Sequence, residues 1–160
     1  MREYKASDLE AVVAVFGRSV REIAARDYSP SQLSAWAPQV PDWPAWSKRV
    51  SERAVFVCER KGQIAGFARI GNDGHLDLLY VHPEFQRQGV GRALFGRALT
   101  WAKKHGVRRL ASDVSVTARS FFEQFDFRVV KPQVVERLGV SFQNFRMERD
   151  IDAESRELNQ

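Results

Sequence analysis

The sequence predicts an α/β or α+β fold organised around one mixed sheet, and three observations carry that prediction. β-rich runs occur in pairs separated by short turn signals, the pattern of antiparallel hairpins. Amphipathic helical stretches separate other strands, the pattern of crossover connections. A chain of 160 residues, 44% of them hydrophobic, is also long and apolar enough to bury one core. We read one domain over residues 1–150 and a polar tail over 151–160.

The elements follow in order. Ser7 and Glu10 have capping-box spacing, and Leu9, Val12, Val13, Phe16, Val20, Ile23 and Ala24 share a helical face, which predicts a helix over 8–25. Pro30, Pro38, Pro41 and Pro44 break the next stretch into a short helix near 30–37, a loop and another short helix. Ala54 to Glu59 and Gln63 to Ile70 read as a hairpin turning at Lys61-Gly62, followed by a strand from His75 to Val81. A long helix then places Leu94, Phe95, Ala98, Leu99 and Ala102 inward and stops at Gly106. Arg109 to Val116 reads as a strand, Thr117 to Phe125 as a short helix, and Phe127 to Arg137 with Ser141 to Glu148 as a closing hairpin around Gly139.

Charge and cysteine content narrow the function classes. The net charge of +5 suits an anionic partner, and because the basic residues are interleaved with acids rather than gathered in a run, a small polyanion fits as well as nucleic acid. Cys58, the single cysteine, permits no internal disulfide and no Cys-rich zinc site, which points to the cytoplasm. It sits in a β-rich run and reads as core packing. His82 and His105 lack metal-ligand spacing, so no metal is expected. The sequence predicts neither a signal peptide nor a membrane span.

The most informative segment is Gln86-Arg87-Gln88-Gly89-Val90-Gly91-Arg92-Ala93, between a strand and a helix. Glycines there let the backbone approach a ligand, and the helix opening adds free amides and a positive dipole end. That is a recipe for a phosphate cradle. It has neither the Walker nor the Rossmann spacing.

The run from Leu78 to Leu94, with Gln86, Gly89 and Gly91 in a Gln/Arg-x-x-Gly-x-Gly/Ala signature, resembles the acetyl-CoA segment of the GNAT N-acetyltransferases. Ser115 to Phe127 resembles the next strand-to-helix motif of that family, and the likeness spans residues 2–149. Tyr28-Ser29-Pro30, Ala35-Trp36-Ala37 and the closing Val135 to Met147 segment resemble its YafP-type branch. The resemblance implies a mixed, mostly antiparallel sheet flanked by helices, with a splayed central parallel pair formed by 75–81 and 109–116. It implies acetyl-CoA as cosubstrate, with pantetheine on main chain at Leu79 and Val81 and pyrophosphate on Arg87, Gln88, Gly89, Val90, Gly91 and Arg92. Ser115 stands where many relatives have Asn, and either a cofactor contact or a helix cap would explain it.

Amine acylation needs a proton acceptor for the attacking nitrogen. Period-two alternation places His75, Asp77, Leu79 and Val81 on one side of their strand, and Asp77 is the first choice of base, with His75 second. An ion pair between Asp77 and Arg69 is the structural alternative. Phe122 departs from the family, since many relatives have there a tyrosine that protonates the leaving thiolate. Asp126 replaces a usual glycine, and Asp tolerates the left-handed region better than bulkier residues.

The expected activity is transfer of an acetyl group to a primary amine of a small molecule in a ternary complex. A non-catalytic acyl-CoA-binding module is the alternative, and a homodimer is possible. Tyr28 and Trp36, with Trp43 and Trp46, lie in the region that would cover the acceptor. They predict a partly aromatic pocket for a small aryl or hydrophobic amine, unless the tryptophans only pin the loops.

Overall fold

The computed structural model describes residues 1–151. Of the expected tail, Ile151 is buried in the core, and the rest lies outside the described residues.

A four-stranded antiparallel sheet has the order β1-β2-β3-β4: β1 (Arg2–Glu3), β2 (Ala54–Arg60), β3 (Gln63–Ile70) and β4 (Leu76–Val81). A second, three-stranded sheet has the order β5-β7-β6: β5 (Arg109–Ser115), β6 (Arg128–Arg137) and β7 (Val140–Asp150). The two hairpins fall where the turn residues require them, with Lys61-Gly62 and Leu138-Gly139 both at positive φ. Helix α4 (Val90–Lys104) covers one face of the first sheet through Leu94, Phe95, Ala98 and Ala102. Helix α1 (Leu9–Arg18) covers the other through Val12, Val15 and Phe16. Short helices α2 (Pro30–Trp36), α3 (Trp43–Ser51) and α5 (Arg119–Gln124) complete the architecture.

The sheets meet along β4 and β5, which run parallel but touch at one end only. His75 bridges Ala111 there, Ala111 N–H donates to Gly74 at 3.0 Å, and the Ser112 hydroxyl donates to the Leu76 carbonyl at 2.6 Å. Gly74, at φ +82°, permits this approach, because a Cβ would strike the Arg109 carbonyl. Beyond it the strands separate into the expected splayed pair.

Three local readings change. The capping pair expected from Ser7 and Glu10 is replaced by Asp8, which accepts the Lys5 N–H at 2.8 Å and is gripped by Arg2 at 2.8 and 2.9 Å. The helix expected over 8–25 is uniform only to Arg18, then widens into a π turn (Ser19–Ile23) and tightens into a 3₁₀ turn (Ala24–Arg26). Last, β4 carries a bulge: Arg69 pairs with Leu78 but Ile70 with Leu76, leaving Asp77 as the extra residue. Leu76 and Leu78 consequently enter the cores on opposite faces of the sheet.

Candidate active site

In the β4–α4 loop the main-chain N–H groups from Gln86 to Gly89 donate to no other main-chain group among the described residues. Arg87 (φ +58°) and Gly89 (φ +81°) are both left-handed, which turns successive N–H groups inward just before α4 begins at Val90. A Cβ at Gly89 would meet nothing within 4 Å, whereas one at Gly91 would lie 3.0 Å from Cε2 of Phe121. Close packing on Phe121, more than open space for phosphate, therefore explains the second glycine. The side chains of Arg87, Gln88 and Arg92 are exposed around the loop; Gln88 Nε2 donates to the Glu84 carbonyl at 3.1 Å, and Arg92 lies over the Phe125 ring at 5.2 Å.

His82 N–H donates to Ala65 at 2.7 Å, so the antiparallel ladder directs the main chain of Tyr80 toward β3 and that of Leu79 and Val81 into the gap between β4 and β5. Val81 already accepts a bond from Gln86 Nε2 at 2.9 Å. A cleft of about 170 Å³ fills this gap, walled by Leu79, Val81, Phe121 and Phe122 and roofed by the π turn of α1. Free edge groups beside a loop of inward amides fit an acyl-pantetheine arm ending in a pyrophosphate. Ser115 lines the cleft, but its Oγ accepts the Ala118 N–H at 3.1 Å, so its hydroxyl serves the entry to α5.

A second cavity, of about 440 Å³, contains both expected bases, His75 and Asp77. It joins the cleft at Trp36, Tyr80 and Ser115, which line both. The bulge breaks the expected alternation, so the four residues predicted to share a side divide between two spaces: His75 and Asp77 in the cavity, Leu79 and Val81 in the cleft. Asp77 Oδ2 accepts from Arg69 at 2.8 Å and from Arg49 at 3.4 Å, while its Oδ1 is buried without a partner. The anticipated ion pair with Arg69 therefore exists and still leaves one carboxylate oxygen unused. His75 Nε2 lies 3.8 Å from Asp113, and His75 Nδ1 lies 3.4 Å from Arg146.

Tyr28 and Trp36 both line the cavity, 5.4 Å apart between ring centroids and edge to face. The Tyr28 hydroxyl is fully engaged, donating to the Gln143 carbonyl at 2.7 Å and accepting the Val116 N–H at 3.0 Å. Trp46 packs on Phe16 at 4.8 Å and faces a neighbouring groove, as does Trp43. Cys58 is fully buried in the core. Among the described residues no three His, Cys, Asp or Glu side chains are grouped to hold a metal ion, and no helix is long and apolar enough to cross a membrane.

Sequence reasoning missed Tyr80 and Asn144 as site residues. Asn144, the register partner of Ser115, has a buried Oδ1 without a partner in the same cavity. Burial pushes the Tyr80 phenol above its ordinary value, and Trp36, Arg49 and Arg137 offset part of that rise. A tyrosine in an apolar strand gives no sign that it will stand at a junction of cavities.

A family model described as an acetyltransferase (GNAT) domain matches residues 24–149. With that match, the splayed strands and the amide-lined loop, the chain belongs to the GNAT acetyltransferases and is an N-acetyltransferase of that family. It is 37% identical over 148 residues to the uncharacterized N-acetyltransferase YafP of Escherichia coli (strain K12), across 92% of this chain and 93% of the relative. It is 34% identical over 114 residues to aminoglycoside N(6')-acetyltransferase type 1 of Stenotrophomonas maltophilia, across 57% of this chain and 74% of the relative. A solved GCN5-related N-acetyltransferase from Rhodopseudomonas palustris superposes with a TM-score of 0.91 at 29% identity, covering 94% of each chain.

Proposed function

We propose that this protein uses acetyl-CoA to acetylate a primary amine of a small molecule by direct transfer in a ternary complex. The observation that carries this reading is the junction of cavity and cleft at Trp36, Tyr80 and Ser115. An amine in the cavity reaches a thioester in the cleft without an enzyme-bound acyl group, and Cys58 lines neither space. Aromatic walls from Phe16, Tyr28, Trp36 and Phe142 suit an acceptor of small-molecule size. The aminoglycoside-acetylating relative likewise acts on a small molecule by its name.

Acetyl-CoA supplies a thioester carbonyl: the amine nitrogen forms the new N–C bond, the C–S bond breaks and CoA leaves as the thiol. Main chain at Leu79 and Val81 orients the pantetheine arm, and the amides of residues 87–92 hold the pyrophosphate. Asp77 accepts the proton lost by the nitrogen at its unpartnered Oδ1, with Asn144 Oδ1 as a second acceptor that fixes the N–H direction. Tyr80 stands in for the phenol that Phe122 cannot provide, since burial keeps it protonated.

The test is thiol release from acetyl-CoA across a panel of arylamines, alkylamines, polyamines, aminoglycosides and amino acids. Amine-dependent release with a burst-free, sequential kinetic pattern supports direct transfer. Tight acetyl-CoA binding with no release for any amine favours the non-catalytic binding module, and a clear preference for polyamines contradicts the aromatic pocket.

A further inference from the structure

The charged side chains around the acceptor cavity are unevenly paired. Asp77 is shared by Arg69 and Arg49, Asp73 pairs with Arg53 at 3.1 Å, and Asp113 lies 3.7 Å from Arg146. Arg137 at the end of β6 makes no hydrogen bond or ion pair among the described residues. The three carboxylates that line the cavity, Asp73, Asp77 and Asp113, each face a guanidinium, and Arg137 alone among the lining arginines faces no carboxylate among the described residues.

Its position is informative. Arg137 and Arg49 both line the acceptor cavity and also the neighbouring groove, and the aromatic rings of Phe16 and Trp36 line both as well. These two guanidiniums and two rings, shared by both linings, mark the rim between the spaces. Both guanidiniums act on the Tyr80 phenol, so the rim lies within electrostatic reach of the transfer point. Guanidinium offers paired donors that match a carboxylate, and a nearby guanidinium favours the neutral, nucleophilic form of a bound amine.

We propose that the acceptor is an amine that also carries an anionic group, in the simplest case a carboxylate, held by Arg137 and Arg49 at the rim while its nitrogen faces Tyr80 and Asp77. The identity of the anchored end rests on the amine-acetylation reading above; the anion subsite itself does not need turnover. A polycationic acceptor finds in this cavity only carboxylates that already face guanidiniums, whereas an amino carboxylate meets an unpaired guanidinium at the rim and apolar walls within.

Matched pairs test this: aniline against 4-aminobenzoate, and phenethylamine against phenylalanine. Binding is followed by quenching of tryptophan fluorescence or by calorimetry, and transfer by thiol release, in the native protein and in Arg137→Met. We expect the carboxylate member of at least one pair to bind tenfold or more tightly than its partner. Arg137→Met should abolish that preference while leaving acetyl-CoA affinity intact, and raising salt should shrink it. Equal affinity within both pairs, or a preference that survives Arg137→Met, overturns the proposal. If carboxylates bind as expected but no amine releases thiol, the subsite stands and the acetylation reading fails. If transfer proceeds equally well for both members of each pair, the acetylation reading stands and the subsite fails.

Discussion

Arg69 Nη1 lies 2.8 Å from Oδ2 of Asp77, in a contact that a single extra residue in β4 makes possible. Without the bulge, Asp77 would sit on the face of Leu79 and Val81; with it, Asp77 lines the larger cavity beside Tyr80. Burial pulls the Arg69 guanidinium below its ordinary value, so this cation depends on its partner. One oxygen of Asp77 thus secures Arg69, and the other is buried without a hydrogen-bond partner.

Asp77→Asn should lower kcat by roughly 10²- to 10⁴-fold, since the amide keeps its size but cannot take a proton. Acetyl-CoA affinity should stay close to native, because Asp77 lines the cavity and not the cleft. Retained turnover would move the base to His75. Urea unfolding should show a loss of about 1–3 kcal/mol from weakened pairing of Arg69.

Gly91→Val should weaken acetyl-CoA binding by roughly tenfold or more in a folded protein, through displaced Phe121, which lines the cleft. Gly89→Ala differs, because its side chain meets open space and the cost is that of φ +81°, about 1–2 kcal/mol. Calorimetric titration with thermal unfolding on each variant separates the two mechanisms. An unchanged isotherm for Gly91→Val would remove the cleft as the pantetheine site.

Tyr80→Phe should reduce kcat by roughly tenfold to a hundredfold with little change in acetyl-CoA affinity, as expected for loss of a proton donor. Phe122→Tyr in that background should recover part of the rate, since Phe122 lines the same cleft. The pH–rate profiles of the native enzyme and the two variants decide the matter. If Tyr80→Phe is silent, solvent protonates the thiolate.

Asp8→Ala should cost about 1–2 kcal/mol at neutral pH, from loss of the cap on the first turn and of the Arg2 grip that holds β1. The hydrogen bond from Arg2 holds the Asp8 carboxyl below its ordinary value. A depressed carboxyl contributes its full stability above the unfolded value, near about 4, and loses it as pH falls through the folded value. The stability gap between native and variant proteins should therefore be constant from neutral pH to about 5 and close below about 4. Urea titrations at several pH values measure it; a gap that persists in acid assigns the effect to packing.

The sequence by itself determined what neighbours along the chain decide. Pro30 after Ser29 opens α2, where Gln32 N–H donates to Ser29 at 3.3 Å, and the glycine turns set both hairpins. Asp126, standing in a glycine position, adopts φ +65° as its short polar side chain allows. The loop from Gln86 to Gly91 was legible for the same reason, because its shape depends on backbone freedom and a helix start a few residues apart. Only the tertiary structure decided the rest. Period-two alternation assumes an unbroken ladder, but whether β4 holds an extra residue at Asp77 depends on its pairing with β3 and its anchorage to Ala111 on β5. The partners of Asp77 on α3 and β3, and the unpaired Arg137 at the rim, are juxtapositions of residues far apart in the chain. Register and charge pairing across such separations follow from packing two sheets against α1 and α4, and no local pattern encodes them.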